Sequence, residues 1–338
     1  MAASSDAAGQ LRSAWRALGG QSRGDGWATI PLQTAAPCQV LAGRRFPGSE
    51  ETLLVGFGTP LPPPASLPEG RGFRVERPPE SFDHAQHWLS LSRQPTGNLD
   101  LFSAMATDLI ELLASGRTAD HDQLSRLFLG RIRAWQAFME KERAGILGLE
   151  AEIGLYGELL LLASLLDAGI GALDAIESWR GPLDGLHDFE LGTGAIEVKS
   201  TLANAGFPAT IWSPEQLDDT VRQPLYLAGI RLALNGTGRT LPELIAELRH
   251  VMRDQPDALG TFENRLLQAG YLDPFADHYL RRFTTVRMMM LVIDSRFPRL
   301  TRAAVPAAIT KLWYVIDLDL VPIPATPLRD ALHRLRCI

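Results

Sequence analysis

Residues 186–201, LHDFELGTGAIEVKST, constrain this chain more than any other stretch. Apolar and charged side chains alternate on both sides of a Gly-Thr-Gly centre, a pattern that a two-stranded hairpin sorts into one buried and one polar face. Glu197 and Lys199 then share a face, and Ile196 and Val198 share the other. If Thr193 and Gly194 form the turn, Asp188 lies across from Lys199 and Glu190 across from Glu197, while Phe189 and Leu191 join the apolar face. The lysine is unusual. Of 33 basic residues 30 are arginine, and only Lys141, Lys199 and Lys311 are lysine. Lysine differs from arginine in being a compact charge whose pKa moves with its surroundings, so its use at 199 points to a place where arginine would fail.

A face bearing two carboxylates and an ammonium has a definite use. Mg²⁺ takes oxygen ligands and is commonly held by one or two carboxylates together with water and a substrate phosphate. Asp188, Glu197 and the carbonyl of Val198 can supply the protein oxygens, with Lys199 orienting or helping to deprotonate an attacking water. The bland alternative is an exposed hairpin whose charges form weak cross-strand pairs; the spacing Glu-x-Lys arises by chance about once in a chain of this size. Two neighbours favour chemistry. The helical stretch GLYGELLLLASLL is apolar nearly all round, so Glu158 points inward and needs a cation, a metal or a hydrogen-bond donor. In SPEQLDD, Ser213 and Pro214 mark a helix start, which puts Gln216 on the first turn where it can reach the carboxylates.

The rest of the chain divides into a β-rich region over 1–100 and a unit over 101–338 in which a helical connector leads into a mixed α/β sheet. Its core spans about 147–235, and strands within 282–320 extend it. GWATIPLQ, CQVLAGRRF, ETLLVGFG and AQHWLSLSR read as strands, and TPLPPPASLPEG as a loop. His84 and His87 lack cysteine partners and read as a surface pair. Cys38 and Cys337 form neither a zinc knuckle nor a disulfide framework. No apolar run reaches membrane-spanning length and no signal peptide is evident, so a soluble cytoplasmic protein without a membrane partner is expected.

The order helix with Glu158, then Asp188, then Glu197-Val198-Lys199, then a helix and a strand, resembles the core of the PD-(D/E)XK nuclease superfamily. It is more closely similar to a family of prokaryotic proteins called PD-(D/E)XK motif proteins, which share a GLYGELLLL-like helix, SWRGP…HDFEL, IEVKST, SPEQLD with LYLAGI, and a late RFPRL. The likeness runs from about residue 145 to the end. It implies a restriction-endonuclease-like fold and Mg²⁺- or Mn²⁺-dependent cleavage of DNA, in restriction or phage defence. By the same resemblance Asp188 and Glu197 are metal ligands, Lys199 the catalytic lysine, Glu158 the helix carboxylate that binds or supports the metal, and Gln216 an auxiliary polar residue. His187 stands where the motif name has proline.

Competing readings are a non-catalytic subunit that docks DNA or other restriction or defence proteins, and a small-molecule phosphoesterase. The net charge of −6 leans toward the docking subunit, because a free-standing nuclease needs positive charge along its DNA track. The best candidate for such a track is 281–302, with Arg281, Arg282, Arg287, Arg296, Arg299 and Arg302 against one acid, Asp294. Oligomeric state is open, a homodimer included.

Overall fold

A computed structural model describes residues 2–20, 24–70, 72–79, 82, 85–115, 119–140 and 146–337. The chain forms two compact units, Met1–Gly145 and Ile146–Ile338. The first is an antiparallel sheet of six strands in the order β1-β2-β3-β6-β5-β4. Its strands are β1 (Gly26–Pro31), β2 (Gln39–Phe46), β3 (Glu50–Phe57), β4 (Glu69–Gly70), β5 (Phe73–Glu76) and β6 (His87–Arg93). Three helices complete it: α1 (Ala2–Leu18), α2 (Leu99–Ser115) and α3 (His121–Glu140). α1 packs on β2 and α2, and α3 packs on α2 and β3. The helices after residue 100 therefore sit with the N-terminal sheet rather than leading into the second unit. Their apolar stripes, through Met105, Leu109 and Leu113 and through Leu124, Phe128, Ile132 and Trp135, are fully buried, and the strands available in their own unit are those of this sheet. Of the two histidines, His84 lies outside the described residues.

The second unit is built on a mixed sheet in the order β11-β10-β8-β7. β8 (Gly194–Thr201) pairs antiparallel with β7 (Phe189–Leu191) and parallel with β10 (Leu225–Arg239), and β11 (Phe283–Ile293) runs antiparallel to β10. One face carries α4 (Leu149–Asp167), α5 (Ala172–Ser178), α6 (Leu241–Met252), α7 (Pro256–Gln268) and α8 (Leu328–Arg334), whose apolar residues share a core with Phe189, Leu191, Ile196 and Val198. The other face packs Ala195, Leu225 and Leu227 against a two-stranded sheet of β9 (Pro208–Ile211) and β12 (Tyr314–Asp317). α6 starts on a capping box in which Thr240 and Glu243 satisfy each other's backbone donors, as its sequence pattern requires.

α4 decides how the site is placed. Gly154 and Gly157 each cost a helix about 1 kcal/mol relative to alanine. Burial of Leu155, Leu159, Leu160, Leu161, Leu162 and Leu165, each contributing ~1.5–3 kcal/mol, outweighs that loss severalfold. Gly157 also permits contact: a Cβ there would lie 1.8 Å from Ser200 Oγ. The helix thus rides directly on β8, and the next residue is Glu158.

The hairpin register differs from the sequence expectation. Phe189 pairs with Ile196, Glu190 with Ala195 and Leu191 with Gly194, so the turn is Gly192-Thr193. Gly192 has φ +51°, a conformation that β-branched Thr193 would resist at that position of the turn. Thr193 donates its N–H to the Leu335 carbonyl at 3.2 Å, and Ala195 donates to the Pro224 carbonyl at 3.1 Å. These contacts, more than a hundred residues apart for Leu335, fix the turn. The slip is two residues, so every side chain keeps its face. Glu190 leaves Glu197 and instead pairs with Arg222 at 2.9 Å.

Candidate active site

β7 covers only the first three residues of β8, and from Glu197 onward that edge of β8 has no strand partner among the described residues. The Val198 N–H points out at this open edge, and Asp188 Oδ2 accepts its hydrogen bond at 2.7 Å. Because the N–H and C=O of one strand residue face the same edge, the Val198 carbonyl is directed there too. Arg180 and Gly181 donate their N–H groups to the Asp188 carbonyl at 2.7 and 3.0 Å, which draws the SWRGP segment against the edge. Trp179, fully buried, donates Nε1 to Glu158 Oε2 at 2.6 Å.

The remaining members come from the polar face. Lys199 Nζ donates to Glu197 Oε1 at 2.7 Å, a contact along one strand rather than across the hairpin to Asp188. Gln216 Nε2 donates to the same oxygen at 2.9 Å, while Gln216 Oε1 accepts the Trp212 N–H at 2.8 Å. Gln216 stands on a single 3-10 turn, Pro214–Leu217, entered through Ser213; no α-helix follows. Glu158, Asp188, Glu197, Lys199 and Gln216 are thereby gathered at one place. Gly181 shapes it. A Cβ at Gly181 would sit 2.7 Å from Glu158 Oε2 and 2.9 Å from Asp188 Oδ1, so two carboxylate oxygens converge on the space its missing side chain leaves.

Three carboxylates here share one ammonium. Burial raises the Glu158 carboxyl well above the usual range, and the charges of Asp188 and Glu197 push the same way, while the Trp179 hydrogen bond and Lys199 oppose them. Burial also raises Asp188, against the pull of Lys199 and the Val198 N–H. Glu197 is raised from 4.5 to about 8 by burial and by Asp188, with Lys199 opposing. For Lys199 burial works to lower the pKa, but Glu197 and Asp188 outweigh it and the net shift is upward. The group is therefore held as an ammonium at neutral pH. His187 is buried beside Asp188 with neither ring nitrogen in a normal hydrogen bond, and burial lowers its pKa.

Among the described residues, no three His, Cys, Asp or Glu side chains are arranged to enclose a metal ion by themselves. The donors present are all hard oxygens, and two of them, Glu158 Oε2 and Asp188 Oδ1, converge beside Gly181. They fit an ion such as Mg²⁺ or Mn²⁺, which takes one or two carboxylates and leaves its other positions to water and phosphate. Trp179 and Gly181 were missed by sequence reasoning as members of the site, although SWRGP was visible as a motif. The arginines of 281–302 do not form a free basic track. Arg281 pairs with Glu152 at 2.5 Å, Arg282 with Glu243 at 2.7 Å, Arg287 with Asp319 at 3.7 Å, Arg296 with Asp294 at 2.6 Å and Arg299 with Asp219 at 2.7 Å. Arg302 donates to the Ile309 carbonyl. No helix among the described residues is long and apolar enough to cross a membrane.

Gly181→Ala tests the convergence. The added methyl must push apart the buried carboxylates held by Trp179 and Val198, at a cost of about 1–3 kcal/mol. Urea denaturation should show that loss; a variant as stable as wild type would mean that the carboxylates do not crowd Gly181.

Residues 11–319 match the model of a family described as "Putative PD-(D/E)XK family member, (DUF4420)". The mixed α/β sheet with flanking helices agrees with that assignment. No curated protein and no solved structure matches the chain.

Proposed function

The chain belongs to this PD-(D/E)XK family, and on that footing we propose that it is a Mg²⁺- or Mn²⁺-dependent endonuclease acting on DNA in prokaryotic restriction or phage defence. One observation carries the reading: three carboxylates and a lysine are brought together in a largely buried place. Burying carboxylates against each other is costly, and apolar residues of similar volume would serve stability as well or better. Their retention is understandable if a cation and a phosphate complete the charge.

Asp188, Glu197 and the Val198 carbonyl are the residues that would hold the ion, with Glu158 binding or supporting it; when bound, the ion would polarise the phosphodiester and lower the pKa of water. Lys199, kept as an ammonium by Glu197, offsets the negative charge that develops on the phosphoryl oxygens as water attacks. Gln216 fixes the rotamer of Glu197 through one amide hydrogen while its oxygen is tied to the Trp212 backbone. Trp179 holds Glu158 in place from the core side.

Thermal denaturation against Mn²⁺ and Mg²⁺ checks the metal requirement. An ion at a hundredfold its Kd stabilises the fold by about 2.7 kcal/mol, so millimolar Mn²⁺ should raise Tm by several degrees in wild type and not in Asp188→Asn. No rise with either ion favours a second reading, a docking subunit that keeps the fold without the chemistry. That reading has its own support in the ion-paired arginines of 281–302 and the net charge of −6.

A further inference from the structure

Trp212 and Trp313 are 63% and 58% exposed. In the β9–β12 register Tyr314 pairs with Ile211, so Trp313 continues the ladder opposite Trp212. Their ring centroids lie 6.2 Å apart at an interplanar angle of 42°. Ile211 and Ile316 point into the core, whereas Val315, 51% exposed, lies on the same outward face as the tryptophans. Leaving two indoles in water forgoes burial that every other Phe, Tyr and Trp described in this unit obtains in whole or in part. Lys311, two residues before Trp313, is exposed and engaged in no ion pair among the described residues.

We propose that the Trp212–Trp313 pair is a stacking platform for unpaired nucleobases, which makes single-stranded DNA the substrate form drawn into the site. The inference rests on the nuclease reading and specifies its substrate. The observation joining platform to site is the hydrogen-bond path: the Trp212 N–H holds Gln216, and Gln216 holds Glu197. Base and scissile phosphate would therefore be gripped by one connected element. An aromatic side chain accepts any base, because every base has a π-face. The tilt shows how. A base inserted between parallel rings needs about 7 Å, twice the 3.4 Å stacking distance; these rings are closer and splayed, so a base lies on an outer ring face. A paired base in duplex DNA has both faces covered by its neighbours and cannot do this without being unstacked. A protein partner is disfavoured by size: two partly exposed tryptophans present roughly 300 Å², against ~800 Å² per partner in a standard interface. Lys311, two residues before Trp313, supplies positive charge for the DNA backbone.

The test is fluorescence anisotropy with labelled dT20 and a labelled 20-base-pair duplex, in EDTA so that nothing is cleaved. It compares wild type, the double variant Trp212→Ala/Trp313→Ala, Trp212→Phe/Trp313→Phe and Lys199→Ala, each checked for folding by circular dichroism. Wild type should prefer dT20 by about tenfold or more. The alanine pair should lose at least ~30-fold on dT20 and less than ~3-fold on the duplex, and the phenylalanine pair should stay within ~5-fold of wild type. Should the alanine pair fail to fold, retained binding by the phenylalanine pair together with the wild-type preference for dT20 decides in favour. Unchanged dT20 binding by the alanine pair overturns the inference. So does an equal loss on both ligands, or no binding of dT20 by wild type. A wild-type dimer in sedimentation that the alanine pair splits also overturns it, since the face would then join two copies of the chain. A parallel cleavage assay with Mg²⁺ or Mn²⁺ separates the two claims: if wild type cleaves nothing there while dT20 binding behaves as expected, hydrolysis is refuted and the platform stands.

Discussion

Lys199→Arg is expected to reduce DNA cleavage by about 10³-fold or more, although charge is kept. Lys199 Nζ sits 2.7 Å from Glu197 Oε1, and its side chain is only 15% exposed. A guanidinium in that space brings five donors in a rigid fork where one point charge is accommodated, and the surplus donors must displace Gln216 or crowd the neighbouring carboxylates. Removing one preorganised charge from such a site typically costs 10²–10³ in rate; misplacing the carboxylates adds to it. Lys199→Ala should be at least as inactive, and less stable, because three carboxylates lose their only ammonium. If the lysine were a structural ion pair, arginine would replace it without loss, as it serves at 30 other positions of this chain. Cleavage by Lys199→Arg within tenfold of wild type would show that the ammonium has no dedicated task.

Glu197→Gln should likewise abolish cleavage, with an opposite effect on the metal-free fold at high pH. In the folded protein the Glu197 carboxyl is raised from 4.5 to about 8, and Glu158 and Asp188 are raised as well. A raised pKa means that the folded state holds protons the unfolded chain has released. The associated stability is complete below about pH 4.5 and is lost as pH rises through about 8. Without metal, Tm should therefore fall between pH 5 and pH 9, by an amount corresponding to a few kcal/mol on the order expected for shifts of this size. Glu197→Gln should flatten that slope. At pH 8.5 it should be about as stable as wild type or more so, the relief of repulsion being partly offset by loss of the Lys199 partner. Mn²⁺ should stabilise wild type most at the alkaline end, where the carboxylates are free of protons. A Glu197→Gln protein that unfolds at all pH values would make this carboxylate a structural group.

The sequence was most informative where a periodic pattern met a lone polar residue. Glu158 in an unbroken apolar helix, and the alternation that put Asp188, Glu197 and Lys199 on one side of the hairpin, both depend on local periodicity and were legible before any coordinates. The register was not, because it is fixed by Leu335 and Pro224 acting on Gly192, Thr193 and Ala195 from distant regions of the chain. Since a slip of two leaves faces unchanged, the error moved Glu190 and altered the partner of Lys199 without dispersing the cluster. α1 escaped notice because AASSDAAGQLRSAWRAL has few large apolar side chains, and Leu11, Trp15 and Leu18 alone make its buried stripe of such residues. The arginine-rich stretch misled for a related reason. Its acidic partners Glu152, Asp219, Glu243 and Asp319 are scattered over the sequence, so a run of cations that reads as a track is in fact a set of ion pairs. Trp212 and Trp313 are 101 positions apart and meet only through the pairing of β9 with β12.

The measurement that bears most directly on the account is Mg²⁺- and Mn²⁺-dependent cleavage of a mixed panel of duplex and single-stranded DNA by wild type, with Glu197→Gln and Lys199→Ala purified in parallel and shown to be folded. The account predicts cleavage by wild type that EDTA abolishes and that both variants lack. Cleavage that persists in both variants would contradict a catalytic role for the cluster, and none by folded wild type with either ion would contradict it too and leave a PD-(D/E)XK fold used for docking.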